Sequence, residues 1–165
     1  MSEEGTLVVF YSRTGTTRKL GRQIAEALGA DVDEVIDRKD RSGALGYLAS
    51  GKDALARKEA DIKPPSHEPS HYDLVVVGTP VWAFSVSCPI RTYLARQKDR
   101  LPKVAFFLTT GGSGIERTFE HMEKLAGKPP VATLGLRMKD VLKDSHEEEL
   151  RAFVEALEEE GSVSE

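Results

Sequence analysis

Cysteine occurs once, at Cys88, in a chain of 165 residues. That excludes an internal disulfide, a Cys-rich metal site and an iron–sulfur cluster. Charge of one sign is also scarce, since 23 basic against 27 acidic residues leave a net −4. A dedicated nucleic-acid binder needs a basic face to neutralise phosphates, and this balance does not supply one. It is equally too mild for a strongly acidic docking surface. Long apolar runs are missing, and the start, Met1-Ser2-Glu3-Glu4-Gly5, is short and acidic. Neither a signal peptide nor a membrane-spanning helix is expected, so the cytoplasm is the default address. Aromatic residues make up 7 %, with a single tryptophan, which makes the position of that ring informative.

What is present is an ordinary folding composition, 39 % apolar and 30 % charged. The length fits one domain, 1–165, able to bury about 68–70% of its unfolded surface. Four short apolar runs read as buried strands: Leu7–Phe10, Leu74–Val77, Val104–Leu108 and Val131–Leu136. A fifth, Val32–Ile36, alternates apolar and acidic residues like a half-exposed strand. Helical spacing fills the gaps. Leu20, Ile24 and Leu28 precede Gly29, a natural stop. Pro89 opens a stretch with Ile90, Tyr93 and Leu94 on one face. Ile115, Phe119, Met122 and Ala126 run up to Gly127. Ser145 and Glu148 predict a capping box before Leu150, Phe153, Val154 and Leu157. Tyr47–Arg57 carries a weaker helical pattern, broken by Gly51.

Strand and helix thus alternate, which implies a doubly wound α/β fold of three layers, with five parallel strands. The most apolar strands belong inside and the mixed second and fifth at the edges. With right-handed crossovers the order is 2-1-3-4-5. Ligands then sit at the carboxyl ends where the order reverses, a rule already formulated on proteins of this order.

Three loops converge there. The first, Tyr11-Ser12-Arg13-Thr14-Gly15-Thr16-Thr17, puts four hydroxyls beside the residues that open a helix. Unpaired amides at a helix start attract an anion, and hydroxyls complete its shell. The Walker signature and G-x-G-x-x-G are both missing, so a phosphate monoester fits better than a pyrophosphate. Simple N-capping by Ser12 or Thr14 is the bland alternative. The second loop, Gly78-Thr79-Pro80-Val81-Trp82-Ala83-Phe84-Ser85, places two large aromatics where a planar ring system can stack. Packing over the next helix or at a subunit interface is its alternative. In the third, Thr109-Thr110-Gly111-Gly112-Ser113-Gly114, glycines let backbone approach a ligand closely. The alternative is a connector that touches nothing.

Val9-Phe10-Tyr11-Ser12-Arg13-Thr14-Gly15-Thr16-Thr17 resembles the FMN-phosphate loop of flavodoxins. Thr79-Pro80-Val81-Trp82 is similar to the loop that stacks an aromatic on the flavin in that family, and Thr110-Gly111-Gly112 to the second isoalloxazine loop of flavodoxin-like reductases. The resemblance covers nearly the whole chain and looks short-chain, because 127–145 leaves no room for the long-chain insertion. It implies FMN as cofactor. Ser12, Thr14, Gly15, Thr16 and Thr17 would hold the phosphate, with Arg13 adding charge. Thr79, Pro80, Val81, Trp82, Ala83 and Phe84 would line one side of the ring system. Thr109, Thr110, Gly111, Gly112 and Gly114 would line the other.

The resemblance also implies electron transfer, and three departures from a plain shuttle point to two-electron chemistry. The third loop lacks a second aromatic. The net charge is a weak version of a shuttle's acidic field. Where shuttles place a glycine that flips its peptide, this chain has Ala83-Phe84, for which positive φ is costly. The expected function is an FMN oxidoreductase that takes electrons from a reduced nicotinamide, NAD(P)H, or a redox partner protein. It passes them to a quinone-like or other small acceptor. The alternatives are a low-potential electron carrier and a flavin-free interaction module. No catalytic side chain is expected, since the flavin carries the chemistry. Cys88 reads as a small buried residue, and His67, Glu68 and His71 as an incomplete metal set. His121 and His146 read as surface residues without partners. Phe84 and the 43–51 segment are candidates for a homodimer interface.

Overall fold

The computed structural model describes residues 5–38, 46, 48 and 60–163. Strand β1 (Thr6–Phe10) leads into helix α1 (Thr16–Leu28), then β2 (Asp31–Glu34). After the 3-10 turn Pro69–His71 come β3 (Leu74–Trp82), a two-residue strand β4 (Ser85–Val86) and α2 (Cys88–Gln97). A second 3-10 turn, Lys98–Arg100, precedes β5 (Lys103–Thr110), α3 (Ile115–Ala126), β6 (Thr133–Arg137), α4 (Met138–Leu142) and α5 (Glu147–Val163). The expected helix at 47–57 lies outside the described residues, apart from Leu48, which is helical.

The sheet runs β2-β1-β3-β5-β6, and every neighbouring pair on that path is parallel. Counting parallel strands alone, this is the expected 2-1-3-4-5. The sixth strand is a departure: β4 folds back antiparallel on the end of β3, pairing Val81 with Val86 and Trp82 with Ser85. A two-residue strand carries too little pattern to be read from sequence.

Alternation along the central strands divides the core. Val75, Val77 and Phe106 face Ile90, Tyr93, Leu94 and Met122 on α2 and α3. Val8, Phe10, Val76 and Phe107 face Leu20, Ile24, Phe153 and Leu157 on α1 and α5. Leu20 and Ile24 are fully buried, each stabilising the docking of α1 by about 1.5–3 kcal/mol. Gly78 belongs to the packing rather than to a turn. A Cβ there would come within 2.0 Å of the Phe107 ring.

Besides β3, which runs on to Trp82 rather than ending at the expected Val77, the boundaries depart from expectation in three places. Strand β2 ends at Glu34, because the chain beyond it swings away to pair with 61–63: the Arg38 amide donates to the Asp61 carbonyl and the Lys63 amide to the Ile36 carbonyl. The last strand starts at Thr133, not Val131. The capping box does not form, since α5 opens at Glu147 and the Ser145 hydroxyl donates instead to the Asp140 carbonyl at 3.3 Å.

Candidate cofactor-binding site

The parallel register puts Phe10 opposite both Glu34 and Gly78, and Pro80 opposite Thr109. The segments leaving β1, β3 and β5 therefore emerge side by side at one edge of the sheet. Thr17, one residue into α1, sits 2.8 Å from the Thr109 hydroxyl at the end of β5. Both residues are buried. This hydroxyl pair ties the first segment to the third.

In the first segment Gly15 precedes α1 at φ 107, with no side-chain cap on the helix and no acidic residue in its first turn. Ser12 accepts the Gly15 amide at 2.9 Å, so it shapes the loop rather than capping deeper amides. Ser12, Thr16 and Thr17 are buried, whereas Thr14 is exposed. Arg18 forks onto Glu34 of β2, with its closest contact at 2.7 Å. That pair neutralises the first basic group of α1; Arg13, within the loop, is half-buried. An uncapped helix start lined by hydroxyls, with no acidic residue in its first turn, suits an anion.

The second segment is not a loop. Thr79–Trp82 continues β3, and only Ala83 and Phe84 form the turn. Both have positive φ, 50° and 64°, as the two central residues of a type I′ hairpin must. The conformation that argued against these residues is therefore already adopted here without glycine. Trp82 is buried in the core and meets Tyr11 edge-on at 5.5 Å, so the indole backs the site instead of standing free on a loop. Phe84 is 55 % exposed.

The hairpin is held from below. The Thr79 hydroxyl accepts the Ser87 amide at 3.0 Å. Ser85 Oγ accepts from Arg91 Nη2 at 3.0 Å and sits 2.6 Å from His121 Nδ1. His121 is thus half-buried and partnered, against expectation. His146 is likewise buried, with Nε2 2.8 Å from Gln23 Oε1. Single helical histidines carry no pattern that reveals a distant partner.

In the third segment the Thr110 hydroxyl accepts the Gly112 and Ser113 amides, both at 3.1 Å. Those two amides turn inward and close the loop. Gly111 and Gly112 nevertheless face open space, since a Cβ at either meets nothing within 4 Å. Gly114, at φ 87, packs on the hairpin tip, where a Cβ would meet the Phe84 backbone at 3.0 Å. The second and third segments thereby close on each other as the first and third do.

A family model described as Flavodoxin matches residues 5–157. The chain belongs to the flavodoxin family. Among solved structures, a flavoprotein of Lactobacillus acidophilus NCFM in complex with FMN is 22% identical, with TM-score 0.66, over 84% of this chain and 97% of that one. The apo-form of the flavoprotein from the same organism is 26% identical, with TM-score 0.59, over 81% and 91%. A flavodoxin from the domain Archaea is 16% identical, with TM-score 0.54, over 93% and 97%. No curated protein matches.

Of the predicted site residues in this flavodoxin-family chain, the structure gathers all three segments at one sheet edge. It sets Trp82 behind that edge. His67, Glu68 and His71 lie elsewhere: Glu68 accepts from the Ser70 amide at 3.3 Å, and His67 lies beside Asp33. Among the described residues no group of three His, Cys, Asp or Glu side chains could hold a metal ion. Cys88 is buried, at the first position of α2.

Proposed function

We propose that this chain is an FMN-binding flavoprotein. In this reading it takes electrons from a reduced nicotinamide or a redox partner protein and passes them to a quinone-like or other small acceptor. The observation that carries the reading is the meeting of an uncapped, hydroxyl-lined helix start with a hairpin tip and a glycine loop facing open space. The donor set fits the cofactor. Helix amides and the hydroxyls of Ser12, Thr16 and Thr17 suit a phosphate dianion, with Thr14, Gly15 and Arg13 at its outer side. Thr79 to Phe84 line one side of the ring system, Phe84 as the exposed aromatic and Trp82 as the wall behind it. Thr109, Thr110, Gly111, Gly112 and Gly114 line the other side. When bound, the flavin supplies reversible one- or two-electron transfer. The chain's own residues bind it, fix its plane and keep water from one face.

Support from relatives is of the same kind, for the Lactobacillus acidophilus flavoprotein was solved in complex with FMN. No helix among the described residues is long and apolar enough to cross a membrane, and we place the protein in the cytoplasm as one domain. The positive φ at Ala83 and Phe84 favours a second reading, a low-potential electron carrier, because it removes one argument against that role.

The test is binding of FMN beside riboflavin, which lacks the phosphate. Wild type prefers FMN. Thr16→Glu puts a carboxylate at the helix start and lowers FMN affinity about a hundredfold, the loss of two charge-assisted hydrogen bonds, while riboflavin affinity holds. Equal affinity for both flavins in wild type, or an unchanged preference in the variant, refutes the phosphate site. Anaerobic reduction with NADPH, followed by absorbance, then separates direct nicotinamide use from a protein donor.

A further inference from the structure

We propose that a cavity at the β2 edge of the sheet binds a small primary ammonium cation on a short apolar stem. The cavity has a volume of about 100 Å³. Its walls come from the end of β2 and its continuation, from the extended segment 62–66, and from Tyr93 of α2. No residue of the three cofactor segments lines it, so the proposal stands apart from the flavin reading.

Two polar groups define its chemistry. Tyr93 is 1 % exposed, and its hydroxyl has no hydrogen-bond partner. Burial first, then the nearby charges of Asp33 and Glu68, push the Tyr93 phenol above the usual tyrosine range, so it stays neutral. Asp33 is 4 % exposed, and its Oδ2 accepts the His67 amide at 2.9 Å. His67, whose Nδ1 lies 3.8 Å from Asp33 Oδ2, is not part of the wall. Buried polar groups are normally satisfied, so the unpartnered Tyr93 hydroxyl on the wall calls for a donor from a ligand.

The Asp33 carboxylate and the Tyr93 phenol oxygen are both acceptors on the wall, and a primary ammonium offers donors and no acceptor. Its charge also answers that of Asp33. The other carboxylate in the wall, Glu34, is already engaged by Arg18, and the wall's one cation, Lys63, is exposed rather than buried beside Asp33. Val35, Ile62 and Pro64 provide an aliphatic wall for the stem. Size follows from comparison: a cavity of about 150 Å³ holds the six heavy atoms of benzene, so this one takes roughly four. Propylammonium has that size.

The test uses the full chain with its cofactor bound. Calorimetric titration with propylammonium chloride is compared with propan-1-ol and tetramethylammonium at equal ionic strength. Propylammonium is expected to saturate with a dissociation constant on the order of millimolar, as four heavy atoms permit. Neither control saturates. Asp33→Asn weakens binding at least about tenfold, and Tyr93→Phe severalfold. If Asp33→Asn does not fold, Tyr93→Phe, which keeps the ring, and Ile62→Phe, which fills the cavity, decide instead. Absence of saturation, equal binding of propan-1-ol, or unchanged affinity in the variants overturns the proposal.

Discussion

The hairpin tip makes the sharpest prediction. Ala83 and Phe84 occupy the left-handed region, which costs an L residue about 1–2 kcal/mol each. A tip chosen for hairpin stability alone would read Asn-Gly. Replacing both residues, Ala83→Asn with Phe84→Gly, relieves most of that strain. Glycine's greater freedom in the unfolded chain returns about 0.5–1 kcal/mol. The net expectation is a stabilisation of about 1–2 kcal/mol, with a rise in Tm of about 2–8 °C for a chain of this size. Thermal unfolding of the apoprotein followed by circular dichroism reads it. The same variant loses the exposed ring of Phe84, so FMN binding followed by flavin fluorescence weakens in parallel. Stability and affinity moving in opposite directions is the signature of strain kept for a purpose. An apoprotein no more stable than wild type would show that the tip stores no strain. A stabilised variant with unaltered FMN affinity would show that the Phe84 ring plays no part in binding.

Three further outcomes follow from packing and hydrogen bonds. Thr17→Val strands the buried Thr109 hydroxyl and costs about 1–3 kcal/mol in urea unfolding, whereas Thr17→Val with Thr109→Val costs less than the two singles summed. Additive losses would mean the 2.8 Å pair carries no coupling. Gly78→Ala drives a methyl into the Phe107 ring and costs about 1–3 kcal/mol or more, so a urea midpoint equal to wild type contradicts the packing described. Burial and the Asp31 hydrogen bond push the Tyr72 phenol up to about 12, and burial raises Tyr93 as well. Both stay protonated in the folded chain above the ordinary value near 10. The stability they contribute is therefore present below about pH 10 and is lost as pH rises toward the folded values. Urea midpoints should fall across that range, less steeply in Tyr93→Phe, and a flat profile is the contrary result.

The sequence carried the parallel core because each central strand is an almost unbroken apolar run, and the edge assignment because β2 mixes acids with valines. Gly29 and Gly127 marked helix ends correctly, both adopting the left-handed cap. The three segments of the site were legible as composition: hydroxyls, aromatics, glycines. Their internal geometry was not. Thr79–Trp82 has the pattern of a loop yet extends a strand, because Thr79 and Pro80 pair with Leu108 and Thr109, and Val81 and Trp82 with Val86 and Ser85, partners that local sequence does not announce. The amides of Gly112 and Ser113 look available until Thr110 is seen to use them. His146 and His121 look like surface residues because their partners, Gln23 and Ser85, lie far away in sequence.

Beneath the hairpin, Ser85 is gripped by Arg91 and His121, and Thr79 by Ser87. These attachments all belong to the stem. The side-chain hydrogen bonds that aim the crest thus lie below it, and Gly114 packs against the crest's backbone. Evolution, or an engineer, can exchange what the crest presents to an incoming molecule without redesigning the scaffold underneath. The exposed ring of Phe84 can thus be exchanged while the buried hydroxyl of Ser85, with its imidazole and guanidinium partners, stays in place.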